Sequence, residues 1–96
     1  MALYTLKEVL KDAFKNGYSV PGFNFYTYED AMAMVKGAEE LNSPIILMAS
    51  GSCIKHLGHD LAFEIVNALA KRTKVPVVCH LDHADKMDSI YKAIKA

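Results

Sequence analysis

The sequence predicts an α/β fold built on a buried parallel sheet. Three observations predict it: apolar runs of strand length, amphipathic helical stretches between them, and a near-constant spacing of the polar residues that end the runs. The clearest run is Val75-Pro76-Val77-Val78-Cys79-His80-Leu81-Asp82-His83-Ala84, which closes in an imidazole, a carboxylate and a second imidazole. Continuous apolar character without alternation marks a strand covered on both faces, as in a parallel sheet. In such folds the carboxyl ends of the strands are where ligands bind.

The elements follow in order. Thr5-Leu6-Lys7-Glu8 has the form of a capping box, and Leu6, Val9, Leu10, Ala13 and Phe14 then mark one face of a first helix stopped by Gly17. Ser19 to Phe25 forms a short first strand with Pro21 and Gly22 early in it and Asn24 at its exit. Thr27 caps a second helix carrying Ala31, Met34, Val35, Ala38 and Leu41 and ending near Asn42. Pro44 to Ala49 is the second buried strand, opening into Ser50-Gly51-Ser52. A loop through Lys55, His56, Gly58 and His59 leads to Asp60, the expected cap of a third helix with Leu61, Ile65, Val66 and Leu69 on its face. Val75 to Leu81 is the third strand, and Asp85 caps a last helix carrying Met87, Ile90, Tyr91 and Ile94.

The exits at Asn24, Ser50 and Asp82 lie 26 and 32 residues apart, close to the roughly 30 residues of one βα repeat with a right-handed crossover. A (β/α)8 TIM barrel needs about 250 residues, so an N-terminal helix and three βα units in 96 residues read as the first part of one such domain. A complete small flavodoxin-like domain is the alternative, and it would call for about five strands. An isolated three-stranded parallel sheet would leave two open edges, which favours association.

Composition narrows the function classes. The chain is 52% hydrophobic and 23% charged, with a formal net charge of zero, so nothing favours counterion-driven binding to nucleic acid or attraction to an anionic membrane. No stretch approaches the roughly 18 apolar residues of a membrane span, and the N-terminus lacks the pattern of a secretory signal, so the cytoplasm is the expected location. Two cysteines, Cys53 and Cys79, make no disulfide framework, and Cys79 reads as a small reduced hydrophobe in a strand.

The polar exits carry the chemistry. His83 is the best metal-ligand candidate, because imidazole nitrogen suits zinc and a catalytic zinc site needs about three protein ligands plus an open position. Taken alone, a histidine beside an aspartate is more often a satisfied polar pair or a helix cap than a ligand. Asp82 and His83 would point to opposite faces of a regular strand, but at a strand end the backbone can turn and aim both into one pocket. His80 shares strand parity with Asp82 and reads as a supporting or core histidine. Asn24 fits a turn or a substrate contact, and Ser50 with Gly51 fits a turn or a hydroxyl-and-amide contact to a polar ligand. Loops at this end of a parallel sheet converge, so three polar exits together point to one site. His56 and His59 read as surface or capping residues, Met32, Met34 and Met48 as core filling, and Tyr26 and Tyr28 as covers for the mouth of the sheet.

With Val20-Pro21-Gly22-Phe23-Asn24-Phe25, Ser43-Pro44-Ile45-Ile46-Leu47-Met48-Ala49-Ser50-Gly51 and the His80-Leu81-Asp82-His83 element in view, the chain resembles the N-terminal third of the class II, zinc-dependent ketose-bisphosphate aldolases, which act on fructose or tagatose bisphosphate. The likeness covers essentially all 96 residues, includes the Leu57-Gly58 segment, and is most specific in the His-x-Asp-His element. It implies that His83 is a zinc ligand, that Asp82 is the catalytic acid/base at the substrate hydroxyl of the cleaved bond, and that Asn24 and Ser50 line the substrate site. It further implies a phosphorylated sugar substrate, a homo-oligomer in full-length form, and remaining zinc ligands and phosphate-binding loops on strands beyond the third, outside this chain.

The resemblance also implies reversible aldol cleavage of a ketose 1,6-bisphosphate to dihydroxyacetone phosphate and glyceraldehyde 3-phosphate, with zinc stabilising enediolate charge as a Lewis acid. A Schiff-base aldolase would instead need a lysine inside a strand, whereas Lys74 precedes the third strand and Lys55 is expected in a loop. Two other readings stand beside it: a different metal-dependent barrel enzyme, against which the His-x-Asp-His order argues, and a non-catalytic truncated α/β domain.

Overall fold

The structure, a computed structural model, describes residues 3–96. The chain runs β1 (Leu3–Tyr4), α1 (Leu6–Asn16), β2 (Gly22–Asn24), α2 (Tyr28–Glu40), β3 (Ile45–Ala49), α3 (Gly51–Leu57), α4 (His59–Lys71), β4 (Val77–Leu81) and α5 (Met87–Lys95). All strand pairs are parallel, in the order β1-β4-β3-β2. The three expected strands are therefore neighbours, with β3 in the middle.

Local chemistry starts the helices as expected. The Thr5 hydroxyl accepts from the Glu8 backbone N–H at 3.1 Å while the Glu8 carboxylate accepts from the Thr5 N–H at 2.9 Å. Thr27 and Asp30 repeat the box at 3.3 and 3.0 Å, each satisfying donors that a helix start leaves unpaired. Gly17 ends α1 at φ 70°, a left-handed conformation that glycine adopts without the clash a Cβ would bring.

Alternation along the strands sorts the two faces. Ile45, Leu47, Ala49 and Val77 join Phe25, Ala31, Val35, Ala62, Val66 and Leu69 in the main core, beneath α2, α3 and α4. Ile46 and Val78, on the opposite face, pack with Val9 of α1, and Met48 lies against them. Phe25, Leu47, Val66 and Val77 are fully buried, and each such side chain contributes about 1.5–3 kcal/mol relative to exposure. Met32 and Met34 also pack against the main core. Among the described residues, no helix is long and apolar enough to cross a membrane.

Several expectations are corrected. A strand precedes the first helix: Leu3 and Tyr4 pair with Val77 and Val78, a contact made across the fold that no local pattern announces. The first strand is shorter than Ser19 to Phe25. Pro21 has no N–H to extend the ladder inward, although its carbonyl still accepts from Ile46 at 3.0 Å. The expected loop through Lys55 and His56 is helix α3. Gly58, at φ 83°, joins α3 directly to α4, and Asp60 falls inside the first turn of α4 rather than capping it. Lys86, not Asp85, occupies the position before α5, without a side-chain cap.

The helical stripes also outrun the sheet. Leu10 and Phe14 of α1 are exposed, Phe14 at 90%, and so are Met87, Tyr91 and Ile94 of α5. Four strands do not offer enough surface to cover both stripes. Tyr28 does not cover the mouth of the sheet; its hydroxyl accepts from Arg72 Nη1 at 2.9 Å, in the groove between α2 and α4.

Candidate functional site

The register brings the three polar exits to one rim. Asn24 ends β2, Ser50 follows β3, and Asp82 follows β4, where its N–H still donates to the Ala49 carbonyl at 2.8 Å. That last ladder bond keeps Asp82 on the same sheet face as His80, two residues earlier. It also sets the Asp82 backbone beside the residue preceding Ser50.

Immediately beyond it the chain turns. His83 adopts φ 54°, a left-handed conformation that costs a non-glycine residue roughly 1–2 kcal/mol. The turn brings the His83 ring back toward its neighbour, with Nε2 3.6 Å from Asp82 Oδ2. His80 Nε2 lies 3.8 Å from Asp82 Oδ1. Asn24 Nδ2 donates to Asp82 Oδ2 at 3.4 Å, reaching over the end of β3. One carboxylate is thus bordered by two imidazoles and an amide drawn from two strands that are not neighbours.

Stability does not explain this cluster. The Asp82 side chain is 21% exposed, His80 37% and His83 87%, and ion pairs this open to water contribute about 0–1 kcal/mol. Ser50, the residue after Ala49, begins α3 without a capping bond from its hydroxyl.

The donor chemistry suits zinc in part. The exposed His83 imidazole is a borderline-soft nitrogen donor of the kind zinc takes, and it stands beside a carboxylate. Among the described residues, no group of three or more His, Cys, Asp or Glu side chains gathers to hold a metal ion. The described residues therefore fit the contribution of one ligand and not a complete coordination sphere. The cysteines add none: burial pushes the Cys79 thiol up to about 11, with a smaller effect from Cys53, and burial also raises Cys53. Both stay protonated near neutrality, which argues against nucleophilic attack.

All of the lysines are exposed, Lys55 on α3 and Lys74 ahead of β4 included, so none has the desolvated strand position a Schiff-base lysine requires. His59, expected on a loop, lies in α4 with Nε2 3.1 Å from the Ser89 hydroxyl. A cavity of about 320 Å³ between β4, α4 and α5 is walled mainly by apolar residues such as Phe63, Cys79, Ile90 and Ile94, counts His59 and His80 in its lining, and includes neither Asn24, Asp82 nor His83. The polar chemistry sits on the open rim instead. His80, read from strand parity as a supporting or core histidine, faces Asp82 Oδ1, an oxygen that only the fold identifies.

Comparison with known proteins bears on this geometry. Residues 4–96 match the family described as fructose-bisphosphate aldolase class-II. The chain is 40% identical over 90 residues to a fructose-bisphosphate aldolase of Helicobacter pylori strain J99, and 39% identical to that of strain 26695. In each case the match takes in 93% of this chain, which spans 29% of the relative's length. Among solved structures, the YdjI aldolase of Escherichia coli superposes with a TM-score of 0.86 at 28% identity, covering 97% of this chain and 36% of that one. A putative fructose-1,6-biphosphate aldolase from Coccidioides immitis superposes at 0.82 and 24% identity, over 92% of this chain and 33% of the other, which speaks to the fold alone. The parallel sheet and its helices are those of a partial (β/α)8 barrel.

Proposed function

The chain belongs to the class-II fructose-bisphosphate aldolase family, and on that premise we propose that its protein catalyses reversible aldol cleavage of a ketose 1,6-bisphosphate to dihydroxyacetone phosphate and glyceraldehyde 3-phosphate. The 96 residues then form the N-terminal part of a single barrel domain, a reading supported by the 29% of the relatives' length that they span.

In this reading Asp82 is the acid/base. Its carboxylate accepts the proton of the carbon-4 hydroxyl as the bond between carbons 3 and 4 breaks. The hydroxyl becomes the aldehyde of glyceraldehyde 3-phosphate, and the bonding electron pair remains on carbon 3 of the dihydroxyacetone phosphate portion. In condensation Asp82 returns the proton. Asn24 steadies Oδ2 through its 3.4 Å bond, and the Ser50 hydroxyl faces the polar substrate. His83 supplies one imidazole ligand for zinc, and the other ligands and the phosphate-binding groups lie outside this chain. Zinc, when bound, acts as a Lewis acid toward the negative charge that cleavage develops.

The observation that carries this reading is the meeting of Asn24, Asp82 and His83 at the carboxyl ends of the strands. We extend the reading to a cytoplasmic homo-oligomer of sugar metabolism. The test is the intact protein with fructose 1,6-bisphosphate and with tagatose 1,6-bisphosphate, each triose product being followed by a coupled reduction. Release of both trioses is expected from at least one substrate. No release from either in the presence of zinc overturns the proposal.

A further inference from the structure

His80 has no part in the chemistry above, yet it is the imidazole that borders Asp82 Oδ1, while Asn24 and His83 border Oδ2. Resting on the aldolase reading, we propose that His80 is a positioning residue for Asp82, holding the plane of the carboxylate in the orientation that receives the substrate proton.

The terminal torsion of an aspartate is broad, with no deep staggered well to fix it. A partner on one oxygen leaves the group free to swing about its Cβ–Cγ bond, and a partner at each oxygen defines its plane. Asn24 holds Oδ2 from β2, on the far side of β3. His80 meets Oδ1 from β4 itself, and it can do so because two properties of that strand coincide. The period of two sets residues 80 and 82 on one face, and the Asp82 N–H bond to Ala49 carries the ladder past the formal end of β4. Across the sheet His80 is in register with Met48, whose side chain lies against the inner core group of Val9, Ile46 and Val78. The ring therefore stands on a packed strand and not on a loop, which suits a group whose task is orientation. At 3.8 Å the nitrogen is beyond a direct hydrogen bond and within ion-pair or water-bridged reach.

The test uses the intact protein loaded with zinc. His80→Leu is expected to lower kcat for cleavage about 10- to 100-fold, the scale on which slight misplacement of a reacting group is felt, with KM within about twofold and zinc content unchanged. His80→Phe, which keeps an aromatic ring and removes both nitrogens, should show the same loss. His80→Gln, which keeps a polar end, should recover most of kcat. A second readout separates positioning from general disruption. Exchange of the carbon-3 proton of dihydroxyacetone phosphate with deuterated solvent involves no carbon-4 hydroxyl, so it should persist near the unmodified rate in all three variants.

Unchanged cleavage in the Leu and Phe variants overturns the proposal. So does parallel loss of exchange and cleavage, or loss of zinc, since His80 would then serve the fold or the metal. Should the unmodified protein itself fail to cleave, the aldolase reading falls, an outcome distinct from all of these.

Discussion

Asn24 and Asp82, 58 residues apart in sequence, meet at 3.4 Å over the end of a strand that belongs to neither. The contact ties the first and last of the three long-range exits to each other and makes one rim of them. Its length and partial exposure limit what it adds to stability, so its consequence is orientation. Asn24→Ala is expected to change unfolding free energy by less than about 1 kcal/mol and to lower kcat by about tenfold through a less ordered carboxylate. Denaturant unfolding and steady-state cleavage by the intact protein, measured side by side, check this.

Asp82 and His83 are adjacent but are assigned different tasks, so their variants should separate. Asp82→Asn keeps the shape of the side chain and removes its basicity. It should retain zinc and lose about 10²- to 10⁴-fold in cleavage, the range of general acid–base contributions. His83→Ala should lose metal and activity together. Zinc content by atomic absorption, read beside kcat, distinguishes the two.

The thiol of Cys79 provides a pH signature. Burial raises it from 9.0 to about 11 in the folded chain, whereas unfolding returns it to the ordinary range. The folded state therefore holds its proton where the unfolded state releases it, and the neutral thiol favours folding fully below pH 9. That contribution declines as pH rises from 9 through about 11. The unfolding midpoint should fall across this window, and fall less steeply in Cys79→Ala. In the folded protein near neutrality, thiol reagents should label Cys53 and Cys79 slowly, and unfolding should release both.

Packing leads to a contrast between two apolar residues. Leu47 is fully buried at the centre of the sheet, while Phe14 is 90% exposed on α1. Leu47→Ala should cost about 2–5 kcal/mol through lost burial and the cavity left behind. Phe14→Ser should leave the unfolding free energy of the 96-residue chain within about 0.5 kcal/mol and reduce its self-association. Denaturant midpoints and light scattering give the two readings.

Much of the fold was legible because its signals are local. Thr5 with Glu8 and Thr27 with Asp30 write their helix starts within four residues, Gly17 writes a stop, and the apolar runs through Leu47 and Val78 mark the buried strands. What escaped depends on distance or on backbone conformation. Leu3 and Tyr4 become a strand only by finding Val77 and Val78. Helix α3 begins without a side-chain cap, so Ser50 to Leu57 read as loop. The exposure of Leu10 and Phe14 reflects how little sheet lies beneath α1, a property of the assembled layers and not of the helical period. At the site, the residue types and strand parity were readable. The left-handed turn at His83 was not, because histidine gives no warning of it as glycine would.

The pairing of metal and carboxylate is tested most directly by aldol cleavage in the intact protein, measured before metal removal, after exhaustive chelation, and again after zinc is restored. Cleavage should vanish with the metal and return with it, while the isolated 96-residue chain shows no turnover and only weak zinc affinity. Full activity in excess chelator, or irreversible inactivation by borohydride in the presence of substrate, would contradict it.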